Sequence, residues 1–142
     1  MSIKTFWLEL IYKLSEIEKA SNFVLKNVNR DVILITGEVG TGKTTLIKEY
    51  CKLIGVEEIV NSPTYTLINE YQNKSGKIVH MDLYRVEDIN EINELGLFEY
   101  LDKNIVIIEW PEIIIKMIDI KYSLINITFI NEKERKLSIK NL

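Results

Sequence analysis

Eight residues, Gly37-Glu38-Val39-Gly40-Thr41-Gly42-Lys43-Thr44, carry the spacing G-x-x-x-x-G-K-T, and Thr45 follows them directly. Glycine at these positions lets consecutive backbone N–H groups turn inward around phosphate oxygens. A helix starting at Lys43 would add the positive end of its dipole to the same anion. The Lys43 ammonium would reach the β and γ phosphates, and the Thr44 hydroxyl would take one place on an octahedral Mg²⁺. Lys43 is expected to face solvent at the loop end. Three of the chain's six glycines lie in these eight residues, which favours a phosphate loop over a chance turn. The predicted ligand is a nucleoside triphosphate with magnesium.

Hydrolysis asks for more than a phosphate loop, because a metal and a water must also be positioned. Two acids stand at the ends of predicted strands: Glu109 after Ile105 to Ile108, and Asp82 after Lys77 to Met81. Glu109 has the position of a Walker-B acid, which meets the metal across the sheet. Each acid taken alone could equally be a surface carboxylate. Thr64, stiffened by Pro63, has the character of a switch threonine that meets the γ-phosphate or its metal, against the plainer reading of a Ser-Pro turn. Trp110 could cover the nucleotide or join the core.

Three further side chains need weighing. Arg85 could clamp phosphates, but pairing with Glu87 or Asp88 is the favoured reading. His80, the only histidine, shares a strand face with Asp82 and could orient that carboxylate; no ligand cluster supports zinc. Cys51 reads as a small core residue rather than a nucleophile.

The elements that must hold these residues follow from periodicity. Lys4 to Tyr12 reads as an edge strand, and Ser15 with Glu18 as a capping box opening a helix to about Asn27. Val32 to Thr36 is apolar throughout, as in a strand buried on both faces. A helix is predicted from Lys43 to Ile54, with Gly55 as its left-handed cap. A short strand near Ile59 leads into Ser62-Pro63-Thr64. Thr66 to Tyr71 and Lys77 to Asp82 form a hairpin, Glu87 to Leu101 a helix broken near Gly96, and Ile105 to Ile108 another buried strand. Tyr122 to Ile130 pairs with Arg135 to Ile139. The fold class is α/β: a three-layer P-loop NTPase fold with a mixed, mainly parallel central sheet, expected as one domain over residues 1–142.

Composition bounds the rest. The chain has 142 residues, 18 basic and 21 acidic side chains and a net charge of −3, so it does not read as a protein that grips nucleic acid by its own phosphate contacts. No apolar run is long enough to cross a bilayer, the first residues do not read as a secretory signal, and the single cysteine suits a reducing cytoplasm.

The phosphate loop is common to very many proteins. More specific are Ser62-Pro63-Thr64-Tyr65-Thr66-Leu67, Glu70-Tyr71, His80-Met81-Asp82-Leu83-Tyr84-Arg85, Glu94-Leu95-Gly96-Leu97 and Glu109-Trp110-Pro111-Glu112. In these motifs, their order and their approximate spacing, the chain resembles the TsaE (YjeE) family of bacterial tRNA-modification ATPases. The resemblance implies ATP and Mg²⁺, and work beside TsaD and TsaB homologues in making N6-threonylcarbamoyladenosine on tRNA. The tRNA would be held mainly by those partners, and the isolated protein is expected to be a cytoplasmic monomer. It implies phosphate and metal binding at Lys43 and Thr44, metal positioning or hydrolysis at Asp82 and Glu109, and a switch-like loop at Thr64. The apolar run Ile113-Ile114-Ile115-Lys116-Met117 departs from the pattern. A small-molecule kinase is the main rival, yet only Arg30, Arg85 and Arg135 are available and only Arg85 is expected near the site. A GTPase would need an Asn-Lys-x-Asp signature, which is absent. A nucleotide-dependent assembly module with negligible turnover alone is the rival from another class.

Overall fold

The structure, a computed structural model, describes residues 6–142. Seven strands form one sheet: β1 Leu8–Lys13, β2 Val32–Thr36, β3 Ile68–Asn73, β4 Gly76–Asp82, β5 Ile105–Glu109, β6 Ser123–Phe129 and β7 Glu134–Asn141. Their order is β1-β7-β6-β2-β5-β4-β3. Parallel pairing is confined to the centre, where β2 lies between β5 and β6 and β5 also pairs with β4. The other three pairings are antiparallel, so parallel and antiparallel contacts are equal in number. This split follows the burial pattern. The first four residues of β2 and the last four of β5 are buried on both faces, as parallel strands require, while the edge strands alternate.

Helices cover both faces. On one, α1 (Ile17–Asn27) and α2 (Lys43–Leu53) pack Ala20, Val24, Leu46, Ile47 and Cys51 against Ile33, Ile35, Ile107, Ile125 and Ile127. On the other, α3 (Ile89–Leu95) and α4 (Leu97–Tyr100) set Ile92 and Leu97 against Leu34, Val79, Met81 and Ile108. Gly96, at φ +74°, separates these two short helices, as the sequence predicts. Ile114 is fully buried in this second core, with Ile113 and Ile115 packed against it. The unusual apolar run after Glu112 is thereby largely accounted for as core.

Some local expectations change. Lys4 and Thr5 of the expected first strand lie outside the described residues; the strand itself is Leu8–Lys13. The helix entry is a 3₁₀ turn, Leu14–Glu16, in which the Glu16 carboxylate accepts from the Lys13 N–H at 3.0 Å. Ser15 and Glu18 therefore do not form the capping box. No strand occurs near Ile59, which is highly exposed. Asn61 instead receives side-chain bonds from Tyr71 and Asn69, which tie the segment to β3 without a ladder.

Candidate nucleotide and metal site

β2 delivers the chain into the glycine loop and α2 carries it away. Gly37, Gly40 and Gly42 have φ of +152°, +82° and +97°, values that L side chains rarely adopt. Gly37 is sterically required as well: a Cβ there would lie 2.7 Å from the Ile127 carbonyl oxygen of β6. Val39 stands exposed at the loop tip, and Thr41 is buried with its hydroxyl donating to the Glu38 carbonyl at 2.9 Å.

Lys43 does not face solvent. Only 6% of it is exposed, and its Nζ donates to the carbonyls of Gly37 at 2.5 Å and Glu38 at 3.0 Å. Trp110 covers it, with Nζ 4.2 Å from the ring centroid. Burial pushes the Lys43 ammonium below its ordinary pKa, while Glu109, Asp82, Glu112 and Glu38 pull it back up.

The two predicted acids come together beside it. β4 and β5 are parallel and in register, so Asp82 lies directly opposite Glu109 on the face that α2 covers. Glu109 is 2% exposed; its Oε1 accepts from the Thr44 hydroxyl at 3.0 Å, and its Oε2 sits 2.7 Å from His80 Nε2. His80 thus braces Glu109, not Asp82 as the strand alternation suggests. The reason is register: pairing sets His80 opposite Ile107, and its ring reaches two residues along β5 to the acid. Asp82 Oδ1 accepts from the Tyr84 N–H at 3.0 Å, and Oδ2 from the Thr64 hydroxyl at 3.3 Å. Thr64 in turn lies 2.7 Å from the Ser62 hydroxyl. The Pro63 segment therefore delivers its threonine to the same acid.

These groups line a cleft of about 360 Å³, bounded by Val39, Gly40, Gly42, Lys43, Thr44, Thr45, Thr64, Asp82, Tyr84, Glu109 and Trp110. Trp110 is a wall rather than core: it is half-buried, at φ +56° and ψ +58°, and tilts against Tyr84 with ring centroids 4.7 Å apart. A bulky residue in left-handed backbone costs free energy, and Pro111 immediately after it starts the next 3₁₀ turn. The donor set of one hydroxyl and two carboxylates is all hard oxygen, which fits Mg²⁺. Among the described residues no cluster of three or more acids, histidines or cysteines forms a self-contained metal cage.

Arg85 stacks on Tyr65, 4.5 Å from the ring centroid, and no ion pair joins it to Glu87 or Asp88 among the described residues. Cys51 is buried in the core and burial pushes its thiol up to about 12, so it is inert. Arg135 is the residue that sequence reasoning missed near the loop. It belongs to β7, distant in sequence, and its Nε and Nη2 donate to the carbonyls of Thr41 at 3.2 Å and Gly40 at 3.4 Å.

Residues 11–137 match the family described as threonylcarbamoyl adenosine biosynthesis protein TsaE. The chain is 42% identical over 85 residues to the tRNA threonylcarbamoyladenosine biosynthesis protein TsaE of Bacillus subtilis, covering 59% of this chain and about half (52%) of that protein. It is 38% identical over 111 residues to the protein of the same name from Aquifex aeolicus, covering 77% of this chain and 76% of that one. The crystal structure of Bacillus subtilis YdiB superimposes with a TM-score of 0.77 at 25% identity, over 99% of this chain and 88% of that one.

Proposed function

The chain belongs to the TsaE family, and from that premise we propose that it is a magnesium-dependent ATPase whose turnover supports repeated N6-threonylcarbamoyladenosine modification of tRNA by a TsaD–TsaB complex. The observation that carries this reading is the convergence of Lys43, Thr44, Glu109, Asp82 and Thr64 on one cleft beside the glycine loop. In this reading Gly37 to Thr45 bind the phosphates, and Thr44, Asp82 and Glu109 hold Mg²⁺ directly or through water. Magnesium, when bound, neutralises charge on the phosphoryl oxygens. Glu109, held by Thr44 on one oxygen and His80 on the other, has its carboxylate plane fixed before ligand arrives. Asp82 or Glu109 orients the attacking water, Thr64 senses the γ-phosphate, and Trp110 covers Lys43 and the nucleotide.

The activity is conditional. No arginine lines the cleft among the described residues: Arg85 is spent on Tyr65, and Arg135 on loop carbonyls. In other phosphate-loop switches an arginine supplied by a partner raises turnover by orders of magnitude. The isolated protein, a cytoplasmic monomer in this reading, therefore hydrolyses ATP slowly, and partners complete the site. The same observation favours the rival of an assembly module with negligible turnover alone. A reconstituted assay with TsaD, TsaB and tRNA, following phosphate release and modified tRNA together, separates the two. Stimulated phosphate release with many rounds of modification supports the ATPase. An unchanged rate, with modification equally sustained in its absence, overturns the function and leaves a nucleotide-binding protein.

A further inference from the structure

Arg135 is 5% exposed and forms no ion pair within 4 Å among the described residues. A buried, uncompensated cation is costly unless its donors are satisfied and its charge is answered. Four of its five N–H donors are taken, all by carbonyls. Nε and Nη2 reach Thr41 and Gly40, and Nη1 reaches Asn131 at 2.6 Å and Glu134 at 3.0 Å. The sheet register sets it between Tyr12 of β1 and Phe129 of β6, and its guanidinium lies 4.7 Å from the Phe129 centroid. Burial pushes the Tyr12 hydroxyl above its ordinary pKa even against the pull of Arg135, so the phenol stays neutral and offers no counter-charge.

The positions of the two clamped carbonyls matter. A loop that turns its N–H groups inward to an anion must turn carbonyls outward, and those carbonyls need donors. Gly40 and Thr41 lie in the middle of the loop, and Arg135 supplies donors for both. Lys43 holds the loop's first two carbonyls, those of Gly37 and Glu38. The loop is thus braced at its entrance by Lys43 and in its middle by Arg135.

We propose that Arg135 is a positioning residue for the phosphate cradle: from behind the loop it fixes the Gly40–Thr41 peptide, whose N–H closes onto the Glu38 carbonyl at 3.3 Å, and the Thr41–Gly42 peptide that leads into the helix, and its buried charge takes the phosphate chain as its missing counter-ion. This rests on the nucleotide-binding reading of the loop. Two consequences follow. The guanidinium acts through the peptide planes and never touches the ligand, so its effect falls on binding more than on the chemical step. Because its charge is screened poorly by protein, the effect grows with ligand charge, being larger for ATP than for ADP.

The test compares wild type, Arg135→Gln and Arg135→Lys by titration calorimetry with Mg·ATP and Mg·ADP, with circular dichroism as the check on folding. Arg135→Gln is expected to lose at least tenfold in ATP affinity and clearly less in ADP affinity. Arg135→Lys keeps the charge without the fork and should recover part of the ATP preference. In wild type the Arg135 Nε–H resonance should be slow to exchange and should shift when Mg·ATP is added, a measurement that needs no variant to fold. A folded Gln variant with wild-type ATP affinity, an equal loss for both nucleotides, or an Nε–H that exchanges freely and ignores ATP would each overturn the proposal. Failure of the wild-type protein to bind ATP would instead overturn the reading of the loop itself.

Discussion

Replacing Glu109 by Gln separates charge from packing at the centre of the cleft. The amide keeps the side-chain volume in a site where only 2% of the residue is exposed, so no cavity opens. One oxygen can still receive His80, and the new NH₂ can donate to the Thr44 hydroxyl, which rotates to accept. Two charge-assisted bonds become neutral ones. A charged bond contributes about 1.5–3 kcal/mol and a neutral one about 1, but removing a buried charge recovers part of that difference. The net cost to folding should be about 1 kcal/mol, a fall in Tm of about 4 °C for a domain of this size. Activity should fall much further. With one metal-organising charge gone, phosphate release in the presence of partners should drop at least tenfold, about 1.4 kcal/mol of barrier, while ATP binding changes less. Glu109→Ala is the control for packing. It leaves His80 and Thr44 without their acceptor and should cost about 2–4 kcal/mol of stability. Turnover assays at saturating Mg·ATP, alongside thermal melts, check both arms. A Gln variant that turns over at the wild-type rate would refute the role given to this acid.

Further outcomes can be checked directly. Lys43→Ala should abolish tight ATP binding, and it should also loosen the loop, because the Gly37 and Glu38 carbonyls lose their donor; calorimetry and amide exchange report the two effects. Burial holds Lys43 below its ordinary value of 10.5 in the free protein and a bound phosphate raises it, so in the alkaline range binding takes up a proton and ATP affinity should begin to fall at a lower pH than an ordinary lysine would give. Cys51, with its thiol pushed up to about 12, should resist alkylation at pH 8 until the protein is unfolded. Because its thiol is held protonated in the folded state, its contribution to stability should be present below about pH 8.5 and lost as pH rises towards 12.

The glycine loop was legible because every feature that marks it is local: an apolar strand, glycines at positive φ, then helical periodicity. Asp82 and Glu109 were legible as acids at strand ends, and the parallel register of β4 and β5 brings them side by side. What periodicity could not supply was partnership across that register. Alternation put His80 and Asp82 on one face, and only the neighbouring strand determines that the imidazole meets Glu109 instead. The same limit hid Arg135, whose carbonyl partners stand at the other end of the sequence. Val56 and Val60 are buried, as a strand near Ile59 would suggest, but the Tyr71 hydroxyl and the Asn69 amide take the place of a ladder. Lys43 was misjudged because charge alone says nothing about carbonyls left over by a tight loop.

The position of β2 in the sheet also governs how the protein comes into being. Both strands that flank it, β5 and β6, are drawn from beyond residue 104, and its own helix lies on the near side of the chain. The glycine loop therefore has its local instructions early and its two supporting walls late. Closing those long loops must precede the reward from pairing, so folding should be limited by the docking of β5 to β7 around an early β2–α2 unit. Until then a nearly uninterrupted apolar strand, Val32-Ile33-Leu34-Ile35, has both edges open. During that interval the strand that leads into the phosphate loop is open to pairing with other chains, and assembly of β5 and β6 on either side is what hides it.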